Sequence, residues 1–195
     1  MSQEITDTTS ALTYGQRLVR GEQVSLRPAT DEDFATLATW WQSPDWAVLQ
    51  TDAVRPQPEG DLIEKFRGWS RNDSPGAVGF SVVDTDGVFA GHAVLYGAGL
   101  PARIATYAVV LGPDFTGRGL GVDVTRLMVR YGFEEMALNK IELTVWAFNT
   151  RAIRAYEKAG FAQEGVRRQA AFHGGKFHDQ VNMGMLADEY FSPSA

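Results

Sequence analysis

The sequence predicts a single α+β domain built on a mixed α/β sheet, and three observations carry this prediction. Seven short apolar segments have the alternation or the β-branched character of strands, and they lie at 23–27, 78–83, 88–96, 103–111, 141–146, 161–172 and 177–185. Several of the segments between them repeat apolar residues at helical spacing, which predicts about four helices. A hairpin turn at 84–87 joins two strands directly, so we do not expect the regular strand–helix–strand units of a doubly wound fold.

The composition is that of an ordinary globular protein and excludes several classes of function. The chain has 195 residues, of which 44% are hydrophobic, which is enough for one domain with a real core. Its 18 basic and 24 acidic residues leave a net charge of −6, which argues against nucleic-acid binding. The absence of cysteine excludes disulfides, thiolate metal sites and an acyl-cysteine intermediate. No apolar run has membrane-spanning length and residues 1–10 lack the apolar core of a signal peptide, so we expect a cytoplasmic protein without membrane contact.

The chain is expected to divide into one domain and two short tails. Residues 1–15 are rich in threonine and serine and show no apolar periodicity, so we expect a mobile tail there. An alternative is that this segment pairs with a neighbouring chain, and a homodimer is a candidate assembly. The domain is predicted over 16–190, and a C-terminal tail over 191–195.

Capping residues mark where the predicted helices begin and end. Thr30, with an aspartate three residues later, predicts the start of the first helix. A second helix is predicted near 61–71, and a third begins in a glycine-rich loop and runs to about residue 136. Asn149 caps a fourth helix, which ends at Gly160.

Three tryptophans flank a proline turn at 40–46, and this cluster has two interpretations. In the first, Trp41 belongs to the core and its neighbours cover it. In the second, the cluster forms an aromatic wall beside a substrate cleft. Helical spacing favours the core for Trp41, whereas both interpretations stay open for Trp46.

The stretch 109–122 combines a strand, a glycine-rich turn and the start of an amphipathic helix. Alternate glycines at 117, 119 and 121 leave no side chain to block a ligand. The free N–H groups of the first helical turn point to the same place, and the helix dipole favours negative charge there. The stretch therefore predicts a phosphate site, and by itself it is compatible with nucleotides.

Two motifs in a fixed order carry a family resemblance. Residues 149–161 resemble the asparagine–alanine–tyrosine–glycine–phenylalanine signature of the GNAT acyl-CoA-dependent N-acetyltransferases. Residues 115–122 resemble the pyrophosphate loop of the same superfamily. The segments 24–28 and 177–183 resemble the branch that contains the ribosomal-protein N-terminal acetyltransferases. The resemblance covers 24–186, which is nearly the whole predicted domain.

The resemblance implies a fold, an activity and a cofactor site. The fold is a mostly antiparallel sheet that splays between its fourth and fifth strands. The activity is direct transfer of an acetyl group from acetyl-CoA to a primary amine, without a metal. The strand end beside the splay would pair with pantetheine, the glycine loop would hold the pyrophosphate, and an asparagine would bind across the splay; these residues are Val109, Val110, Leu111, Gly117, Arg118, Gly119, Leu120, Gly121, Val122 and Asn149.

Two proton-transfer groups follow from the resemblance, and one of them departs from the family pattern. Tyr156 is the candidate acid that protonates the departing thiolate, although without the motif a core tyrosine would be the better interpretation. The position of the general-base glutamate found in some members holds Thr144 here. Glu142 lies two residues away on the same strand face, so it is the candidate base, with a surface carboxylate as the alternative.

The loop cation and the acceptor side are also predicted by residue. Where the superfamily loop usually opens with arginine or glutamine, this chain has Thr116, so Arg118 is expected to supply the positive charge. Candidates for the acceptor side are Trp41, Trp46, His173 and His178.

Three functional hypotheses stay open at this point. The leading one is an acetyltransferase whose acceptor is a protein N-terminus or a small-molecule amine. The second is a protein that binds acyl-CoA as a sensor or interaction module without turnover. The third is a transferase that uses a different acyl-CoA donor.

Overall fold

A computed structural model of the chain describes residues 4–50 and 53–192, and one seven-stranded sheet runs through them. The strands are β1 (Val24–Arg27), β2 (Val78–Asp84), β3 (Phe89–Tyr96), β4 (Ile104–Leu111), β5 (Lys140–Trp146), β6 (Ala162–His173) and β7 (Lys176–Leu186). They are arranged in the order β1-β2-β3-β4-β5-β7-β6. All seven predicted strands are present, and the predicted bounds are confirmed to within about one residue.

The helices are more numerous than the sequence analysis predicts. The described residues contain α1 (Thr8–Val19), α2 (Asp31–Gln42), α3 (Pro44–Gln50), α4 (Glu59–Trp69), α5 (Leu120–Glu134), α6 (Thr150–Ala159) and α7 (Ala187–Phe191), with a 3₁₀ turn at Pro113–Phe115. The four predicted helices correspond to α2, α4, α5 and α6. The short helices α3 and α7 and the N-terminal α1 are additional.

The N-terminal segment differs from the expected tail, because α1 occupies part of it. The Asp7 side chain accepts a hydrogen bond from the Ser10 amide, which closes a capping box at the start of the helix. The helix is then held against α5, since the Tyr14 hydroxyl bonds the Glu134 carbonyl at 3.2 Å and Arg17 pairs with the Glu134 carboxylate. These contacts lie far apart in sequence, so local periodicity does not reveal them. Residues 1–3 and 193–195 of the two expected tails lie outside the described residues.

One pair of neighbouring strands is parallel, and the candidate functional site lies where the pairing of these two strands ends. Every other pair in the sheet is antiparallel. The parallel pairing of β4 with β5 covers only Ile104–Thr106 opposite Lys140–Glu142. Beyond this point β4 remains paired with β3 and β5 with β7, but β4 and β5 are no longer paired with each other. The predicted fold class, a mostly antiparallel sheet that opens between its fourth and fifth strands, is confirmed.

Two apolar clusters pack on opposite faces of the opened strand β4. Val109 and Leu111 pack against the main cluster, which includes the buried side chains of α5. Val110 belongs to the second cluster, together with Phe34 of α2 and Phe66 of α4. Because successive side chains of a strand point to opposite faces, α5 and the α2–α4 pair cover the sheet from opposite sides.

Among the described residues, not one helix has both the length and the apolar character that crossing a bilayer requires.

Candidate active site

The opening between β4 and β5 leads into a cavity of about 590 Å³. Its walls come from the C-terminal ends of the two strands, from the glycine-rich loop, from α6 and from tryptophans of α2, α3 and α4. The cavity therefore reaches from the side of the sheet covered by α5 to the side covered by α2 and α4. This is the place where the sequence analysis predicts both the cofactor and the acceptor.

The two strand ends offer unpaired backbone edges to this cavity. The register of β4 with β3 continues to Leu111, which lies opposite Gly91. The register of β5 with β7 continues to Trp146, which lies opposite Gln180. Each strand is therefore satisfied on its outer side and open on the side that faces the cavity. An extended ligand that carries amide groups can pair with such an edge as another strand would.

The glycine-rich loop ends in a helix N-terminus that no side chain caps. Gly117 and Gly119 have φ angles of 76° and 89°, a left-handed conformation that favours glycine. Gly119 is the N-cap of α5, and it provides no side-chain hydrogen bond. The amides of Leu120 and Gly121 thus lie in the first turn, where a helix supplies no internal acceptor. Gly119, Gly121 and Val122 line the cavity, whereas the Leu120 side chain is buried in the core.

The only carboxylate in the first turn of α5 is occupied elsewhere. The Asp123 carboxylate accepts hydrogen bonds from the amides of Gln23 at 2.7 Å and Val24 at 3.0 Å. It therefore fastens β1 to α5 and does not compete for the free amides of the loop. An anion in the cavity would meet the positive end of a 15-residue helix.

Three cations of α6 line the cavity, and the sequence analysis did not identify them. Arg151, Arg154 and Lys158 follow one another at spacings of three and four residues, which places them on one helix face. Arg118 is exposed and does not line the cavity, and its guanidinium lies 5.6 Å from the centre of the Phe115 ring. The expectation that Arg118 supplies the loop's positive charge is therefore not supported by its position. The sequence signal for these three cations is their helical spacing after Asn149.

Asn149 has the local structure that the sequence predicts. Its side-chain oxygen accepts a hydrogen bond from the Ala152 amide at 3.2 Å and so caps α6, while the residue also lines the cavity. The helix ends at Gly160, whose φ of 105° lies in the left-handed region. The α6 face that carries Tyr156 is thus fixed from both ends.

Tyr156 lines the cavity within an aromatic cluster. Its ring meets those of Tyr107 and Phe161 edge-on, with centroid distances of 6.2 and 6.1 Å. Burial raises the pKa of the Tyr156 phenol to about 12, because the apolar surroundings disfavour the phenolate. The hydroxyl therefore keeps its proton at neutral pH and is available as a hydrogen-bond donor.

Glu142 is not brought to the cavity. Its side chain is 46% exposed, and its carboxylate lies 3.8 Å from the Lys140 ammonium. Thr144, which shares its strand face, does line the cavity. Among the described residues that form the cavity wall there is no aspartate, glutamate or histidine.

The two predicted tryptophans lie at the cavity, and Trp69 and, from β5, Trp146 join them. Trp41 is a buried core residue and also part of the cavity wall, so both interpretations of it apply. Trp46 and Trp69 line the wall as well. The edge-on contact of Trp41 with Trp69, at 6.1 Å, links α2 to the end of α4. Trp69 was not predicted as a site residue because a single tryptophan in a helical segment is an ordinary core feature.

The histidines occupy two other places. His173 and His178 lie on the β6–β7 hairpin outside the cavity wall, and the ring nitrogen of His178 is 3.1 Å from the His173 carbonyl. His92 is buried on β3, where its Nε2 lies 2.8 Å from the Ser70 hydroxyl. Burial lowers the pKa of His92 to about 4, and the nearby Asp33 carboxylate opposes this shift only in part.

Comparison with known proteins identifies the class to which this fold and site belong. A model of the acetyltransferase (GNAT) domain matches residues 23–162, and the chain belongs to this family. The SPbeta prophage-derived uncharacterized N-acetyltransferase YokL of Bacillus subtilis is 28% identical over 172 residues, which are 87% of this chain and 93% of that protein. The B. subtilis protein named "Putative ribosomal N-acetyltransferase YdaF" is 28% identical over 105 residues, or 54% and 57% of the two chains.

A solved structure shows the same fold. The crystal structure of spermidine N-acetyltransferase from Vibrio cholerae in complex with CoA and spermine superposes with a TM-score of 0.78. It is 22% identical and covers 87% of this chain and 99% of its own. The predicted resemblance and the predicted enzyme class are confirmed, and the protein is an acyl-CoA-dependent N-acetyltransferase.

Residues 4–50 and 53–192 contain no group of three or more histidine, aspartate or glutamate side chains placed to hold a metal ion.

Proposed function

We propose that this protein transfers an acetyl group from acetyl-CoA directly to a primary amine, with the reaction taking place in the opening between β4 and β5. The observation that carries the proposal is the shape of this opening. An unpaired strand edge, an uncapped helix N-terminus and a protonated tyrosine all meet in one cavity. Acetyl-CoA supplies the activated acetyl group as a thioester, and the residues of the chain bind, orient and exchange protons.

The cavity wall fits the parts of coenzyme A in order. The backbone of Val109, Val110 and Leu111 offers the edge to which the amides of pantetheine would pair. The amides of the glycine loop, from Gly117 to Val122, would hold the pyrophosphate. One helix terminus contributes only about 0.3–1 kcal/mol per charge, whereas micromolar binding needs about 8 kcal/mol. The cations of α6 and the pantetheine pairing therefore have to contribute as well.

The contribution of the α6 cations is tested by comparing arginines. Replacing Arg154 with alanine is expected to raise the KM for acetyl-CoA about tenfold with a smaller change in kcat, because a charge-assisted contact to a phosphate is lost. Replacing Arg118, which is exposed like Arg154 but does not line the cavity, with alanine is the control, with an expected change in KM below about threefold. Calorimetric titration with CoA gives the same comparison without turnover. A larger effect at Arg118 would show that the phosphates lie elsewhere.

Tyr156 is the proposed acid for the departing sulphur. The phenol oxygen holds a proton that it donates, first as a hydrogen bond and then by transfer, as the carbon–sulphur bond breaks and negative charge develops on the sulphur. The nitrogen that has attacked the thioester carries a surplus proton, and this proton returns to the phenolate, so the products are a neutral amide and a thiol and Tyr156 is restored. Burial in apolar surroundings raises the pKa of the phenol to about 12, above the ordinary thiol value of about 8.5, so transfer to a thiolate in water would be uphill. The same apolar surroundings raise the pKa of a buried thiol, which brings the two groups closer together.

The described cavity wall contains no carboxylate or histidine that could take a proton from the incoming amine. A general base must come within about 3.2 Å of the proton it removes, directly or through one water. Glu142 is instead next to Lys140 and half exposed. We therefore infer that the acceptor loses its proton to solvent on entering the apolar cavity, which disfavours the ammonium form.

This inference is tested at Glu142 itself. Changing Glu142 to glutamine is expected to leave kcat within about threefold of the wild-type value, because the side chain keeps its shape and no catalytic proton passes through it. The measurement is the rate of CoA release with saturating acetyl-CoA and amine across pH 6 to 9. A loss of 10²-fold or more, restored as the pH rises, would reinstate Glu142 as the base.

Turnover distinguishes the enzyme from the alternatives. We expect CoA release that depends on an added amine and an acetylated amine detected by mass spectrometry. Binding of acetyl-CoA without any amine-dependent release would favour the sensor hypothesis, and faster release from a different acyl-CoA would favour another donor. Assembly as a homodimer remains a prediction, which sedimentation equilibrium tests.

A further inference from the structure

We propose that the acceptor end of the cavity takes a primary amine carried on an aromatic or bulky apolar body, and that it rejects polyamines. This inference rests on the proposed function and specifies its substrate class. The structural basis is a wall of tryptophans with a lysine seated against two of them.

The tryptophans define the acceptor end by their place in the fold. The glycine loop and α6 lie on the α5 side of the opened sheet, where the phosphates are expected. Trp41, Trp46 and Trp69 line the same cavity, and all three pack with the α2–α4 cluster on the other side. An amine that meets a thioester between β4 and β5 therefore enters past these tryptophans.

Lys65 of α4 does not itself line the cavity, but it places a positive charge against two tryptophans that do. Its ammonium lies 4.3 Å from the centre of the Trp41 ring and 5.0 Å from that of Trp69, both within cation–π distance. No carboxylate of the described residues comes within 4.0 Å of it. The nearby acids Glu64 and Asp31 are paired instead with Arg67, at 3.2 and 2.7 Å.

A ligand with a second ammonium group is disfavoured for two reasons. The described cavity wall contains no carboxylate, so a buried second charge would find no ion-pair partner among these residues. Two of the three tryptophan rings already hold an ammonium at contact distance, so a ligand cation there would also meet the charge of Lys65.

A ligand with an apolar body is expected to bind more tightly than one with a second charge. The indole rings and the Leu49 side chain offer apolar surface, and each methylene buried against it improves binding about fourfold. The indole nitrogens of Trp41 and Trp46 are buried without a hydrogen-bond partner within the described part of the chain, so an apolar body that also carries a hydrogen-bond acceptor would bind better still.

The test uses two amines of nearly equal shape. Pentylamine and butane-1,4-diamine differ mainly in one end, which is a methyl group in the first and an ammonium in the second. With saturating acetyl-CoA we expect kcat/KM to be at least about tenfold higher for pentylamine, and higher still for 2-phenylethylamine. A kcat/KM for butane-1,4-diamine or spermidine equal to or above that for pentylamine would overturn the proposal.

The role of Lys65 is tested by Lys65→Met, which keeps an unbranched side chain, one atom shorter, and removes its charge. The preference for pentylamine over the diamine is expected to shrink about tenfold, while kcat/KM for pentylamine stays within about threefold. Lys140→Met, at a lysine paired with Glu164 outside the cavity, is the control and should leave the preference unchanged. An unchanged preference in Lys65→Met would show that the charge of Lys65 does not disfavour the diamine.

Binding separates a failure of this inference from a failure of the proposed function. Titrating each amine into the CoA-loaded protein and following tryptophan fluorescence measures selectivity without turnover. Tighter binding of the diamine contradicts the inference even if no amine is acetylated. Tighter binding of pentylamine without any acetylation supports the inference about the site and contradicts the proposed reaction.

Discussion

Tyr156→Phe is expected to lower kcat by about 10²–10⁴-fold while leaving the affinity for acetyl-CoA nearly unchanged. The substitution removes the proton that the departing sulphur needs and keeps the aromatic ring. The edge-on contacts with Tyr107 and Phe161 involve only that ring, so the packing of α6 is preserved. In free-energy terms the loss corresponds to about 3–5 kcal/mol of transition-state stabilisation. Steady-state kinetics with a fixed amine, together with calorimetric titration of CoA, gives both quantities.

A matched tyrosine controls for loss of a hydroxyl group. Tyr131 of α5 packs against Phe80 with a centroid distance of 5.1 Å and does not line the cavity. Tyr131→Phe should therefore retain the wild-type kcat. Wild-type turnover in Tyr156→Phe would show that the sulphur leaves without a proton from this residue.

Acidification from pH 7 to about 4.5 is expected to lower the free energy of unfolding by about 2–3 kcal/mol through His92 alone. Its pKa is about 4 in the folded protein and 6.5 as the ordinary value, and each pH unit of difference corresponds to about 1.4 kcal/mol. The folded state binds the proton less readily, so this stability is fully present above pH 6.5 and is lost as the pH falls towards 4. Urea unfolding at a series of pH values measures it.

His92→Gln separates the contribution of His92 to the pH dependence of stability from that of the carboxylates. Glutamine keeps a hydrogen-bonding group near the Ser70 hydroxyl and does not titrate, so the pH dependence between 6.5 and 4.5 should largely disappear. The pKa of Asp33 is lowered, since its bonds to Arg27, Thr30 and Ser81 outweigh the cost of burial, so its own contribution falls at a lower pH. The same slope in wild type and His92→Gln would assign the effect to another group.

The parts of the fold that depend on short-range signals were predictable. All seven strands follow from alternation and turn residues within a few positions of each other. Helix capping also depends only on residues close together in the sequence. Asn149 caps α6 and Gly160 ends it, because both effects depend on backbone geometry within one helical turn.

The parts that depend on distant contacts were not predictable in the same way. Helix α1 is fastened by Glu134, more than 100 residues away in the sequence, and Leu18 is its only buried residue. Arg118 lies within the glycine-rich loop, but its side chain does not line the cavity. The cations that face the cavity come from α6, which the fold brings alongside α5.

The sequence by itself determined the family, the strands along the chain and the glycine-rich loop, because each depends on the local spacing of glycines, capping residues and apolar positions. Only the tertiary structure decided which charges line the cavity or lie against its wall. It placed Lys65 against Trp41 and Trp69 and left Glu142 beside Lys140. The physical reason is that the opening between β4 and β5 is assembled from segments that lie far apart along the chain. The charge at such a place depends on packing and cannot be deduced from sequence neighbours.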